Sequence, residues 1–382
     1  MRLRSARIVC PEGTVEGEVI LRDGRIAAVE RSAAGAAGRS APAGEDGVDL
    51  GDAWLVPGFI DGHVHGGGGA QCNSADASEI AAVARFHAAH GTTGLFATTV
   101  AAPIEELCRS LAAIARCPLV LGAHLEGPFV SRARPGAMDP ETFVAPDVRV
   151  LDRLLSAGAG RVRMVTLAPE LPAALALIER LRDVGVVASL GHTDATYAES
   201  EAAIRAGAGA ATHLFNAMRP FHHREPGVIG AVLDLGVSAE LICDGVHVAP
   251  AALRLAHRCC GPAGVRLVTD AIAAAGMPDG DYRLGAAMVS VRRGRARLPG
   301  HETIAGSTLT MDAAVRGAVR FLGAGVEEAV AMASTNPAAL LGLAGRKGAI
   351  AVGTDADLVV LDDSLYVRGT MIGGRWVLEP DL

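Results

Sequence analysis

Residues 59–70 read FIDGHVHGGGGA. An apolar run meets two histidines, His63 and His65, set two apart, and four consecutive glycines follow. On a strand, side chains two apart share a face, so both imidazoles point to one side just where the chain leaves the sheet. That is a place to hold a metal ion. Taken alone, the pair reads equally as two histidines at a polar strand end, and the stretches around it decide.

The same grammar recurs outward from this point. Between 58 and 345, apolar strand-like runs (FIDGHVH, TGLFATTV, LVLGAHLEGP, RVRMVTLAPE, VVASLGHT, AATHLF, ELICDG and VRLVTDAI) alternate with helix-length segments such as ASEIAAVARFHAAHG and LPAALALIERLRDVG. Eight such units predict an α/β chain built on a (β/α)8 TIM-like barrel rather than an open sheet, and barrels of this kind carry their chemistry at the C-terminal ends of the strands. The ends of the chain have another texture. ARIVC, GEVILRDGRIAAVE with a hairpin turn at Asp23-Gly24, and DAWLVPG at the start match GAIAVGTDADLVVLDD and VRGTMIGGRWVLE at the finish. Residues 1–57 and 346–382 are therefore expected to form one small β-sandwich domain made by both termini, interrupted by an Ala/Gly-rich loop near 33–47. Residues 58–345 form the barrel.

At 382 residues and 50% hydrophobic composition the chain can bury a large core. A net charge of −7 with basic residues scattered along the chain argues against nucleic acid as a partner. No apolar stretch reaches the roughly 18 residues of a membrane span. The start MRLRSARIVC soon meets Glu12 and Glu16, unlike a signal sequence. The expectation is a cytoplasmic protein without membrane contact. Seven cysteines, an odd number without a CxxC pair, read as reduced and mostly buried thiols.

The strand ends hold the chemistry. His63 and His65 follow the first strand, His124 and Glu126 the third, His192 the fifth, His213 the sixth and Asp270 the eighth. A barrel brings such positions to one rim, and imidazole with carboxylate suits a borderline divalent ion: zinc first, with iron, manganese, cobalt or nickel admissible, one or two per subunit. The glycines after His65 would let backbone pass close to the ion. Several metal-dependent hydrolase barrels bridge two ions with a carboxylated lysine. The only lysine here, Lys347, lies beyond the last barrel unit, which leaves Glu126 as the carboxylate able to ligate one ion or bridge two. Asp270 suits proton transfer between an attacking water and a leaving nitrogen, or further ligation, and the two roles are compatible. In ATHLFNAMRPFHHREPGVIGA (211–231) and CDGVH (243–247), His222, His223, Arg224 and His247 add cationic or donor groups. Arg224 suits a phosphate and equally an ordinary surface position.

PGFIDGHVHG, HLEGPF, GHTDAT, ATHLFNAM, REPGVIGA, DGVH, TDAIAAAG with DGDYRLG, and AGSTLTMDAAVR, taken in order, resemble the N-acetylglucosamine-6-phosphate deacetylases of the amidohydrolase superfamily over nearly the whole chain. The resemblance implies that Glu126, His192 and His213 are the main metal ligands, with His63 and His65 available for a second ion, and that Asp270 is the catalytic acid/base. It implies an amino-sugar phosphate substrate contacted by Asn216, Ala217 and Arg224, the last supplied across a homodimer interface. His247 would bind substrate, Ile304, Ala305 and Gly306 would line the sugar pocket, and Ala137 and Met138 would face it from the loop after the third strand. Met138 departs from the family, which commonly carries a polar residue, often histidine, at that point; a thioether is no strong donor. The rival readings are a deacylase of the same superfamily acting on N-acetylgalactosamine 6-phosphate or an N-acyl amino acid, and a barrel that binds an amino-sugar phosphate as a sensor without turning it over.

Overall fold

A computed structural model of the chain describes residues 1–32 and 47–381. The Ala/Gly-rich loop expected near 33–47 lies, apart from Gly47, outside them. The chain packs as two compact units, one of Asp61–Phe86 with Leu95–Thr310, the other of Met1–Ile60, His87–Gly94 and Met311–Leu382.

Eight strands form one parallel sheet in chain order: β1 (Phe59–Val64), β2 (Thr92–Thr99), β3 (Gly122–Glu126), β4 (Val162–Leu167), β5 (Val187–Leu190), β6 (Ala208–Ala211), β7 (Ser238–Leu241) and β8 (Val265–Leu267). Just beyond β8 the chain returns to β1. The Asp270 amide donates to the His63 carbonyl at 2.9 Å, and the amides of His65 and Gly66 donate to the Ala271 carbonyl at 2.8 and 2.9 Å, closing the sheet into a barrel. All eight residues of β2 are buried, as parallel strands covered on both faces require. The helices bury stripes at helical spacing: Leu107, Leu111 and Ile114 face inward on Ile104–Arg116. Thr196 and Glu199 start Tyr197–Ala206 with a reciprocal capping box.

One element was not read from the sequence. Strands Gly280–Leu284, Ala287–Arg292 and Arg295–Arg297 form an antiparallel sheet inserted after β8. Its Leu284, Val289, Val291 and Ala296 pack with Val100, Met138 and Ile272. This sheet also corrects the expectation that basic residues are scattered. Arg283, Arg292, Arg293, Arg295 and Arg297 fall within it, and Arg292 stands directly opposite Arg295.

In the other unit the strands of both termini share one sheet. Trp54–Pro57 pairs parallel with Arg2–Cys10 on one side and antiparallel with Leu358–Leu361 on the other, in register Leu358 to Pro57 and Leu361 to Trp54. Asp23 and Gly24 both adopt positive φ (51° and 75°), the geometry a two-residue hairpin turn demands. Lys347 is buried in this unit, its Nζ bonded to Asp357 and 3.1 Å from Asp355 Oδ2. The only lysine of the chain is thus a structural clamp. Lys347→Ala leaves the buried Asp357 carboxylate without its cation, while Asp355 keeps Arg346 at 3.1 Å, and a loss of about 3–5 kcal/mol is expected, read from the urea midpoint against wild type.

All seven cysteines are unpaired. Among the described residues no helix is long and apolar enough to cross a membrane.

Candidate functional site

The strand-end residues converge inside the barrel unit. Glu126, the last residue of β3, reaches four imidazoles. Its Oε1 lies 3.0 Å from His213 Nε2, 3.2 Å from His192 Nε2 and 3.5 Å from His63 Nε2, and its Oε2 lies 3.3 Å from His65 Nε2. Asp270 Oδ1 sits 3.2 Å from His65 Nε2 and 3.6 Å from His63 Nε2. Three groups, Glu126 with His192 and His213, His63 with His65 and Asp270, and His63 with His124 and Glu240, each bring three ligand atoms within 4.8 Å of one another. His192 (φ 48°), His213 (φ 31°) and Asp270 (φ 49°) all hold left-handed backbone, as do Phe215 (φ 81°) and Ala217 (φ 48°). Such strain is uncommon for non-glycine residues and gathers where side chains must be aimed off the end of a strand.

The hydrogen bonds behind the rings settle which nitrogens face inward. His65 Nδ1 donates to the Thr98 carbonyl (3.1 Å), His192 Nδ1 to the Arg134 carbonyl (3.0 Å) and His63 Nδ1 to Glu240 (3.0 Å). On a neutral ring held in this way, Nε2 carries the lone pair. His63 Nε2 and His65 Nε2 stand 3.0 Å apart, and His192 Nε2 meets the Glu126 carboxylate at 3.2 Å. Lone pairs opposed at that range repel unless a cation or proton lies between them, and outer acceptors on ligand histidines are the usual support of a metal centre. The donor set fits a divalent ion.

Electrostatics agrees. Burial opposes charge on His65, yet Asp270 and Glu126 outweigh it and hold its pKa up to about 10; for His213, Glu126 does the same to about 9. Burial also works against Glu126 and Asp270 as carboxylates, and the surrounding imidazoles overcome it, keeping both below the usual range. His124 is different. Its Nε2 pairs with Thr166 Oγ1 at 2.7 Å and its Nδ1 with the Gly62 carbonyl at 3.2 Å, while burial pulls its pKa down to about 3. Both of its ring nitrogens are thus already paired.

A cavity of about 320 Å³ opens onto this rim. His65, Glu126, His192, His213 and Asp270 line it, with Ala137, Met138, Asn216, Ala217, His247, Ile304 and Gly306 from the expected substrate set. Ala305 is buried and absent from the lining. Arg224 is exposed and its Nη1 lies 2.9 Å from His223 Nε2, so within one chain it does not reach the cavity. His247 Nδ1 pairs with Asp244 Oδ2 at 2.7 Å and its Nε2 has no partner among the described residues. Asn216 Nδ2 donates to the His213 carbonyl at 3.1 Å.

Met138 is buried against Val100, Phe143 and Ile272, and its sulfur accepts from the Ala101 amide at 3.4 Å. The thioether builds an apolar wall. Two glycines are demanded by close approach: a Cβ on Gly136 would stand 2.9 Å from His192 Cε1, and one on Gly306 only 2.4 Å from Ile272 Cγ2. The glycines after His65 serve a different neighbour from the ion expected. A Cβ on Gly66 would meet the Ala70 oxygen at 2.4 Å and the Ala273 nitrogen at 2.7 Å, so the close approach there is to backbone.

Sequence reasoning passed over Glu240, Arg266, Asp61, Val100, Phe215, Leu284 and Thr303. A visible signal existed for the first two: charges within strand runs that are otherwise apolar and buried. Asp61 was visible in FIDGHVH; its Oδ2 accepts from Thr269 Oγ1 at 2.5 Å, and burial pushes its pKa up to about 7 against that bond. The apolar wall residues carry no chemistry that a sequence could display.

The model of the amidohydrolase family matches residues 54–377. N-acetylglucosamine-6-phosphate deacetylase of Lysinibacillus sphaericus is 38% identical, over 98% of this chain and 96% of its own length. N-acetylgalactosamine-6-phosphate deacetylase of Escherichia coli is also 38% identical, over 98% of each. A mutant N-acetyl-D-glucosamine-6-phosphate deacetylase of Mycobacterium smegmatis, solved with N-acetyl-D-glucosamine-6-phosphate, superposes with a TM-score of 0.94 at 44% identity over 99% of both chains. The chain belongs to the amidohydrolase family and, within it, to the N-acetylglucosamine-6-phosphate deacetylases.

Proposed function

We propose that this chain hydrolyses the acetamide of N-acetylglucosamine 6-phosphate to glucosamine 6-phosphate and acetate. One observation carries the reading: Glu126, four imidazoles and Asp270 meet beside a single cavity of about 320 Å³ in a chain of this family. Glu126, His192 and His213 would hold the main ion and His63 and His65 a second; zinc is the proposed metal because the ligands are nitrogen and oxygen. The bound ion supplies Lewis acidity toward an amide carbonyl and toward water. Asp270 takes the proton from the attacking water and returns it to the departing nitrogen. Burial works against charge on His247, and Asp244 behind it outweighs burial, so the ring in its protonated form donates from Nε2 to the carbonyl oxygen. Ile304 and Gly306 wall the sugar together with Ala137 and Met138, and the buried Ala305 backs that wall without lining the cavity.

Asn216 and Ala217 bind the sugar phosphate, and Arg224, exposed on its own chain, pairs with the phosphate held by a second copy in a homodimer. The proposed setting is the cytoplasm, and the proposed domain organisation is a 58–345 barrel with a small β domain of 1–57 and 346–382. Because a relative named for N-acetylgalactosamine 6-phosphate matches as fully as one named for the glucosamine compound, the epimer is the second reading.

Comparing kcat/KM for both epimers and for an unphosphorylated N-acyl amino acid tests the assignment. The glucosamine compound is expected to be turned over best, and Arg224→Ala to cost it about 10- to 100-fold, the worth of a charged hydrogen bond. Equal turnover of unphosphorylated substrates, untouched by Arg224→Ala, would sink it.

A further inference from the structure

We infer that Glu240 is a positioning residue that brackets the two halves of the rim. It stands on β7, fully buried, and its Oε2 does two things. It accepts from His63 Nδ1 at 3.0 Å and from the backbone amide of His213 at 3.2 Å. His63 belongs to the β1 pair and His213 to the group around Glu126. One oxygen therefore ties both groups to a common point.

The consequence at each partner is specific. With its Nδ1 proton committed to Glu240, the neutral His63 ring presents a bare Nε2 toward His65, and it cannot turn over without losing that bond. At His213 the backbone sits at φ 31°, a sparsely populated conformation for a residue with a Cβ. A carboxylate on its amide helps to hold it there. Without the bracket, the His63 tautomer and the His213 backbone are each set by weaker neighbours.

The cost of Glu240 shows that it is more than packing. Parallel barrel strands are normally apolar, and a buried carboxylate needs compensation. Arg266 on β8 provides it. This side chain is only 2% exposed, its Nη2 lies 3.6 Å from Glu240 Oε1, and its Nη1 donates to Ser238 Oγ. Neither Glu240 Oε1 nor Arg266 Nη2 has a hydrogen-bond partner among the described residues. A pair of apolar side chains would fill the same space without an opposed charge pair, so the groups that gain from Glu240 are His63 and His213.

The geometric part stands on hydrogen bonds alone; the effect on metal binding rests on the proposed function. The test uses full-length protein with ¹⁵N-labelled histidine, His63→Gln identifying the resonance, together with zinc affinity from chelator competition. Glu240→Leu alone strands the Arg266 charge and can fail to fold, so the deciding variant is Glu240→Leu with Arg266→Met. Wild type, and Glu240→Gln, which still accepts from both donors, are expected to show His63 protonated at Nδ1. The double variant is expected to lose that signature and to bind zinc about 10- to 100-fold more weakly. A folded double variant with the wild-type His63 signal overturns the bracket, and a shifted signal with zinc affinity within about twofold of wild type overturns its link to the rim. Should wild type bind no zinc, the metal reading fails while the His63 signal still decides the bracket.

Discussion

Asp270→Asn is expected to lower kcat for acetate release by about 100- to 10,000-fold with KM little changed, the range a positioned proton-transfer group contributes. The substitution keeps the shape of the side chain, and asparagine is among the few residues that tolerate left-handed backbone such as the 49° φ found here. The backbone bonds that lock the position, from the Asp270 amide to the His63 carbonyl and from the Ser307 amide to the Asp270 carbonyl, do not involve the side chain. What is lost is the oxygen 3.2 Å from His65 Nε2 as a proton acceptor. An amide cannot take a proton from water and hand it on. Wild-type turnover by this variant, measured as acetate formed, would remove Asp270 from the mechanism.

The second large effect is expected at Glu126. Glu126→Ala takes away the one carboxylate that, among the described residues, lies within 3.5 Å of four imidazoles. Removing even an outer partner of a metal ligand costs about 10- to 100-fold in affinity, so loss of the shared ligand itself should reach or exceed that range. Elemental analysis after dialysis is expected to find less metal per chain than in wild type, and hydrolysis should fall in proportion to the metal lost. A folded variant that retains its full metal content and turns substrate over would place the metal elsewhere.

How much of this was open to a reader of the chain varies by residue, for physical reasons. Strand periodicity with the His/Glu/Asp endings exposed the barrel and the ligands, because a barrel forces every strand end to one rim whatever the separation along the chain. The insert at 280–297 escaped because its Gly280–Leu284 stretch alternates polar and apolar residues over only five positions, too few to stand out from a loop. His124 stands at a ligand's position, and only the fold shows its two nitrogens paired with Thr166 and the Gly62 carbonyl. Glu240 and Arg266 could have been noticed as charges in apolar runs. Which ring they serve could not, since partners 177 residues apart meet only across the closed barrel.

Residue order thus yields the eight-unit architecture, the candidate ligand set and the exclusion of a lysine bridge, since all three follow from local pattern and residue type. Tautomers, the pairing of carboxylates with particular nitrogens, the apolar wall made by Met138 and Leu284, and the exposure of Arg224 are set by distances across the fold. Hydrogen bonds and packing act over a few ångströms of space, and folding, not chain position, decides which groups come that close.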